Sequence, residues 1–441
     1  MKKYDSYTDS GVEWIGEIPS HWSHSNLKWY SDIYSGGTPS KDVEEYWSNG
    51  TIPWLNSGSV NQGDIVEASE YITEEAYNNS SAKWISEGSL ILALAGQGKT
   101  KGMVAQVKFK TTCNQSLGVI VPNDKINNRF LLYWIRSNYQ NIRNLGGGDK
   151  RDGLNLVMLG AIPMPIPTLS EQAKIAKFLD QKIAQIDQLI AKKETFIKLL
   201  EEENKAFTKQ AVTKGLNPTV PMKDSGDEWL GEIPSHWTSY RIDWITNIVR
   251  GNTGFLKDEL LDTGEYVALQ YGKTYKVDII DDSFNYYVND EFFKESQIVS
   301  KGDTILISTS ETIEDLGHTC YYNSSNIGLL GGEQILLKPN RNVLYEKFLY
   351  QYASQLGAVL KKYAKGLKVF RFNTNDLKRI YISIPSIEEQ IQISNRIEIA
   401  TTRKDKLINK MEKEIEFYKE YKTALISEVV TGKVDVRDDL L

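Results

Sequence analysis

Two stretches of the chain carry apolar residues at alternating three- and four-residue steps, with neither Pro nor Gly inside them. In the first, from Ser170 to about Val212, one row is Ile183, Ile190, Ile197, Asn204 and Ala211, and the other is Leu179, Ile186, Lys193, Leu200 and Phe207. This is a heptad stripe, and it predicts a helix roughly 60 Å long at 1.5 Å per residue. Ser170 follows Pro167 as a candidate N-cap, Glu171 places an acid in the first turn, and Gly215 and Pro218 end the run. The second stretch, from Ser386 to about Val430, repeats the seam with Ile408, Ile415 and Val429 in one row and Ile397, Met411, Tyr418 and Leu425 in the other; Lys404 and Lys422 interrupt it. A narrow stripe flanked by Lys and Glu favours a coiled coil over burial in a globular core, and the natural partners are the two helices themselves. The pattern leaves their relative direction open. Asn204 is either a register device or a tolerated polar seam residue.

Ahead of each helix the pattern shortens to strand-length runs, and these recur. Residues 9–22 read DSGVEWIGEIPSHW and residues 224–237 read DSGDEWLGEIPSHW. Residues 162–175 (IPMPIPTLSEQAKI) match residues 380–393 (IYISIPSIEEQIQI), with Pro167 on Pro385 and Glu171–Gln172 on Glu389–Gln390. Residues 85–92 (ISEGSLIL) line up with 299–306 (VSKGDTIL), a turn feeding a buried strand. Asn114–Gln115 is expected where Glu333–Gln334 stands. The whole chain reads as a tandem duplication of one unit of about 215 residues, a domain-sized period. Elsewhere the two bodies diverge, which implies two similar jobs on two different targets.

Length and composition change this picture little. The 441 residues, 40% hydrophobic and 25% charged, are those of an ordinary multidomain protein. No apolar run reaches membrane-span length, and the first residues lack the apolar stretch of a signal peptide, so a cytoplasmic location is expected. Cys113 and Cys320 are read as reduced thiols, and with His21, His24, His236 and His318 they form no metal-ligand cluster. The net charge of −6 argues against nucleic acid until its distribution is considered. Residues 1–90 hold five Lys against fourteen acids, whereas residues 91–165 hold ten Lys or Arg against three. The shift recurs: residues 216–337 are acidic, and residues 338–380 hold ten basic residues against two acids. A phosphate backbone needs a local basic surface, not a basic total. Separate solvated faces are the alternative.

Taken together, the WIGEIPSHW segment, the run IPMPIPTLSEQAKIAKFLDQKIAQIDQLI and their second copies resemble the conserved regions of type I restriction–modification specificity subunits, over the full chain. The second copy departs where Tyr381 and Ser383 replace Pro163 and Pro165. The resemblance implies an α+β fold: two α/β target-recognition domains (residues 1–168 and 216–385) and two helices (169–215 and 386–435) paired in an antiparallel coiled coil. It implies a non-catalytic subunit that reads a bipartite DNA site and binds two modification (methyltransferase) subunits and, through them, restriction subunits. S-adenosylmethionine, ATP and Mg would belong to those partners only. Two readers on one rod would meet half-sites at a fixed spacing.

DNA-contact candidates follow from the loops. Residues 93–100 (ALAGQGKT) fit a relaxed phosphate-binding loop around Lys99, but such a loop needs a helix starting near the Lys, and KGMVAQVKFK reads as a strand. A nucleotide-binding enzyme using Lys99 is therefore one rival; a coiled-coil scaffold without DNA contact is the other. The preferred reading is a hairpin tip presenting Gln97, Lys99, Thr100 and Lys101, with Gln suited to adenine and Lys to phosphate or guanine; a plain solvated turn is the alternative. Polar Gly-rich loops add Lys41 and Asn56, and basic loops before each long helix add Lys150, Arg151, Lys365, Lys368 and Arg371 as phosphate contacts. Arg250, Lys273 and Thr309 complete the set in the second body. Trp14, Trp22, Trp229 and Trp237, present in both copies, are read as structural. No adenine-methyltransferase motif of the D/N-P-P-Y/F kind occurs, and the E-x-K matches at 203–205 and 420–422 fall inside the long helices, so no catalytic residue is assigned.

Overall fold

The computed structural model describes residues 2–96, 98–146 and 153–438. These form two compact units: unit 1 is Met1–Lys193 with Glu412–Leu441, and unit 2 is Glu194–Met411.

Unit 1 is built on a five-stranded sheet. Strand β1 (Ser23–Asn26) precedes β2 (Ser31–Ser35), β3 (Asp64–Ile65), β4 (Leu90–Ala93), β5 (Val104–Val107) and β6 (Leu117–Pro122). The sheet order is β2-β6-β4-β5-β3, antiparallel except for the last, parallel pair. β4 and β5 are buried throughout, which is why β4 reads as an unbroken apolar run and not as an alternating one, while β5 buries Gln106 among its apolar residues. Helix α1 (Asn128–Ser137) buries Phe130 to Ile135 and starts at Asn127, whose side chain caps the free N–H groups of Arg129 and Phe130. Helix α2 (Tyr139–Asn144) follows, and β7 (Pro163–Ile166) returns to pair antiparallel with β1.

Unit 2 repeats the plan. Strand β8 (Thr238–Arg241) pairs with β14 (Tyr381–Ile384), and the sheet holds β9 (Thr246–Arg250), β10 (Ile279–Ile280), β11 (Thr304–Ile307), β12 (Thr319–Tyr322) and β13 (Gln334–Pro339). Its order is β9-β13-β11-β12-β10, with the same pairing senses. Tyr381 and Ser383, which replace the two prolines, leave this strand pairing intact. Strand register corrects one sequence alignment. Ser308 donates its N–H to Glu333 as Leu94 does to Ser116, and Gly331 donates to Leu269 as Asn114 does to Leu55. Asn114 therefore corresponds to Gly331, and Glu333 to Ser116, a shift of two residues. The alignment of 85–92 on 299–306 agrees with the register.

The long helices are α3 (Leu169–Lys214) and α5 (Ile387–Val430), with the short helix α4 (Glu346–Ala353) between them in the chain. Between residues 181 and 207 of α3 the side chains that are not exposed are Ile183, Ile186, Ile190, Lys193, Ile197, Leu200, Asn204 and Phe207, the two heptad rows of the sequence. Within unit 1, Lys193 Nζ lies 2.5 Å from Glu414 Oε2 and Lys422 Nζ 2.6 Å from Asp187 Oδ1. Within unit 2, Asn204 Nδ2 donates to Thr401 Oγ1 at 3.3 Å. Both cysteines are buried free thiols, and burial pushes Cys113 up to about 12 and raises Cys320 as well, which keeps them unreactive. No helix among the described residues is long and apolar enough to cross a membrane.

Candidate nucleic-acid interface

The repeated opening segments explain themselves first. In unit 1, His21 Nε2 lies 2.8 Å from Glu171 Oε1 and Trp22 Nε1 donates to the same oxygen at 3.4 Å. In unit 2, His236 and Trp237 meet Glu389 at 3.0 and 3.2 Å. The neighbouring glutamine completes each latch. Gln172 accepts from the Asn127 N–H at 2.7 Å and donates to Pro167 O at 2.9 Å; Gln390 accepts from the Tyr345 N–H at 2.8 Å and donates to Pro385 O at 3.0 Å. One Glu–Gln pair thus ties the opening segment, the strand exit and the helix start of its unit together. Burial opposes ionisation of Glu171, but hydrogen bonds from His21, Thr168 and Trp22 outweigh it and hold the carboxyl below its ordinary range.

With the scaffold fixed, the divergent loops emerge from one end of each sheet. In unit 1, Ser35 opposes Gly118 and Ala93 opposes Leu117, so the loops after β2 and β4 and the loop before β6 leave from the same end. Gly36 sits so close to the backbone there that a Cβ would lie 2.0 Å from Cys113 O. Thr38 donates to Gln115 across this cluster. The turn after β4 is braced by α2: Tyr139 Oη donates to Lys99 O at 2.6 Å, and Arg143 donates to Gly98 O and Lys101 O at 2.7 and 3.0 Å. From this turn the chain enters strand β5 and not a helix, so the phosphate-binding-loop reading of Lys99 lacks its helix N-terminus.

The sequence candidates divide accordingly. Lys99 is exposed at the tip and Thr100 is half-buried. Lys101, expected beside them on the tip, is only 4% exposed. The Gly102 N–H closes the hairpin on Ala93 O, which places Lys101 at its base. Lys41 is exposed, with Nζ 5.5 Å from the Trp47 ring centre. Asn56 is half-buried and spends its amide oxygen on the Gly58 N–H at 2.8 Å, capping the turn Ser57–Gln62. Gln97, Lys150 and Arg151 lie outside the described residues.

In unit 2, Arg250 opposes Ile335 and Ile307 opposes Gln334, so the loops again share one end. Thr309–Ser310 pairs with Phe370–Arg371, and Lys365 and Arg371 exchange two backbone hydrogen bonds of 2.9 Å that close the loop between them. Gly366 makes this closure possible: its φ is +121°, and a Cβ would lie 1.9 Å from Val369 O. Lys365, Lys368 and Arg371 are exposed together on this hairpin, and Arg250 is exposed at the end of β9. Thr309 is 8% exposed, and its hydroxyl donates to Glu333, so that hydroxyl is already engaged within the unit. Lys273 is half-buried, 4.4 Å from the Tyr286 ring centre. Sequence reasoning missed Tyr139 and Arg143, and it missed Glu333, which sits at φ +63° with Arg371 Nη2 3.7 Å away. No local pattern links Arg143 to a turn more than forty residues earlier.

Unit 1 also contains a cleft of about 780 Å³ bordered by Asn61, Asp64, Arg129, Arg136, Asp180 and Lys422. Arg129 spans it, donating to Asp64 at 2.7 Å and through Nε to Asp180 at 3.0 Å. Lys347 and Glu398, 2.6 Å apart, make the equivalent helix-to-helix tie in unit 2. No group of His, Cys, Asp and Glu suited to a metal ion occurs among the described residues.

The model of the type I restriction modification DNA specificity domain matches residues 19–199 and 234–417. The EcoR124I/EcoR124II specificity subunit of Escherichia coli is 31% identical over 183 residues, 40% of this chain and 42% of that one. The MjaIX specificity subunit of Methanocaldococcus jannaschii is 27% identical over 264 residues, 57% of this chain and 58% of its own length. The chain therefore spans about half the length of these two relatives. A solved chain from work on complex assembly and conformational transition of the type I R-M system has a TM-score of 0.74 at 17% identity, covering 95% of this chain and 99% of that one. At that identity the likeness concerns the fold.

Proposed function

The chain belongs to the type I restriction modification DNA specificity family, and from that premise we propose that it is the subunit that selects the DNA site for a modification and restriction complex. It reads a two-part sequence in double-stranded DNA, one half with the body of unit 1 and the other with that of unit 2. It arose by tandem duplication, with reading domains near 1–168 and 216–385. Helices α3 and α5 form the antiparallel coiled coil; the heptad burial and the pairings of Asp187 with Lys422, Lys193 with Glu414 and Asn204 with Thr401 support this, since rising numbers on one helix meet falling numbers on the other. The chain itself neither methylates nor cuts DNA. Two modification subunits bring S-adenosylmethionine, and restriction subunits bring ATP and Mg, in the cytoplasm.

One observation carries this reading. The same sheet order and the same latches recur in both units, while the loops leaving one end of each sheet differ in charge and bonding, with Lys99 and Lys101 after β4 where the second unit has Glu311, Glu314 and Asp315 after β11. A shared frame with unlike loops suits two readers of unlike sequences, with exposed Lys99, Lys365, Lys368 and Arg371 on phosphates or base edges. The test is a body exchange. Replacing residues 24–150 with the corresponding body of a relative should change one half of the motif methylated by the assembled complex and leave the other half alone. A change in both halves, or sequence-independent methylation, would overturn the reading. A scaffold without DNA contact predicts no salt-dependent, sequence-selective binding at all.

A further inference from the structure

Three tryptophan pairs recur between the units, and their surroundings differ. Trp22 and Trp237 are buried in the latches, and Trp14 and Trp229 are half-buried. The third pair, Trp29 and Trp244, is 66% and 64% exposed. Their local frames correspond residue for residue. Leu27 and Ile242 are buried two positions earlier, and Ser31 and Thr246, two positions later, donate their hydroxyls back to the Leu27 and Ile242 carbonyls at 2.9 and 2.6 Å. Each indole has a cation of its own unit nearby: Lys28 at 5.1 Å in one and Arg241, itself bound to Asp243, at 5.5 Å in the other.

Buried repeated residues are accounted for by the shared scaffold, and divergent exposed loops by two different DNA targets. A large apolar side chain that is both repeated and exposed fits neither. It suits something common to both halves. The position argues against the DNA read by the loops, because Trp29 precedes β2 at Ser31 whereas the loop cluster follows Ser35, about 13 Å away at the other end of the strand. Trp244 and Thr246–Arg250 repeat that arrangement. Tryptophan is also the side chain most enriched among residues that dominate protein–protein affinity.

We propose that Trp29 and Trp244 are anchors for two copies of one protein partner, one copy per unit, each indole entering an apolar pocket with an acidic rim that faces Lys28 or Arg241. The inference rests on the reading above, in which that partner is the modification subunit, and it names the docking point. The unit 1 anchor is the more apolar. Val157, 82% exposed, lies on the turn Leu156–Gly160 that packs against the Leu27–Trp29 turn, and its counterpart in unit 2 is Asn375.

The full chain, co-expressed with the modification subunit of its own system, tests this by native mass spectrometry. The wild type should carry two copies. Trp29→Ala and Trp244→Ala should each carry one, and the double variant none, with affinity at each altered site falling more than about tenfold. Trp29→Phe should restore most of the loss, and unchanged melting curves should show that these surface changes spare the fold. A wild type that binds no modification subunit would overturn both the reading and the inference. A wild type and a double variant that both carry two copies would overturn the inference alone. A double variant that keeps two copies but no longer binds DNA would assign the tryptophans to DNA and overturn it as well.

Discussion

Glu171 has few freedoms left: its side chain is 8% exposed, and His21, Trp22 and Thr168 converge on it. Removing its oxygens strands these donors, so Glu171→Ala should cost about 1–3 kcal/mol, read as a lower denaturation midpoint. Because the folded carboxyl titrates below its ordinary value, its contribution is complete above about pH 4.3 and is lost as pH falls through the folded value. Urea titrations between pH 5 and 3 should show the wild type losing more stability than Glu171→Gln; parallel curves would mean the charge is not what matters. Gly36 and Gly251 are constrained from the opposite side, by absence of space. A Cβ would come within 2.0 Å of Cys113 O and 1.8 Å of Gly331 O respectively. Gly36→Ala and Gly251→Ala should each destabilise the protein by about 1–3 kcal/mol through overpacking, and thermal melts decide the matter.

Elements explain which of these features could be read in advance. The heptad rows were legible because helical burial is local: every third or fourth residue returns to the same face, whatever the rest of the chain does. Even Lys193, which breaks the apolar row, keeps its place there by pairing with Glu414. The loop cluster was legible only as composition. Lys101 follows Lys99 by two residues, yet the hairpin closure at Gly102 separates an exposed tip from a buried base. The correspondence between Asn114 and Gly331 depends on hydrogen bonds to Leu55 and Leu269, partners more than fifty residues away. The Thr309 hydroxyl, which composition alone leaves available to DNA, is spent on Glu333. On the closed hairpin of unit 2, by contrast, Lys365 and Lys368 stand exposed on a braced loop. Replacing both with Ala should weaken DNA binding for all sequences and reduce the log–log salt slope by about 0.9 for each phosphate no longer neutralised. An unchanged slope would assign both to a solvated surface.

For the whole molecule, the division of the chain matters more than any single bond. Unit 2 is one continuous run, Glu194–Met411, whereas unit 1 needs both Met1–Lys193 and Glu412–Leu441. The late segment is bound tightly into unit 1. The Asp435 N–H donates to Lys2 O at 2.9 Å, Tyr7 Oη to Gly432 O at 3.1 Å, and Lys174 Nζ to Arg437 O at 3.2 Å. A chain cut after Met411 should therefore keep residues 216–385 resistant to protease while residues 1–168 become cleavable; equal resistance of the two would show that the last segment is dispensable. On a ribosome this division inverts the usual order. Domains generally fold as they emerge, the earlier-made first. Here the first-made body waits without its closing segment while all of Glu194–Met411 is translated, and the second body is complete before the first can be. The unfinished surface around Lys2, Tyr7 and Trp22 is then the stretch that a nascent-chain chaperone has most time to meet, and slowing translation of residues 412–441 should lengthen that window for unit 1 alone.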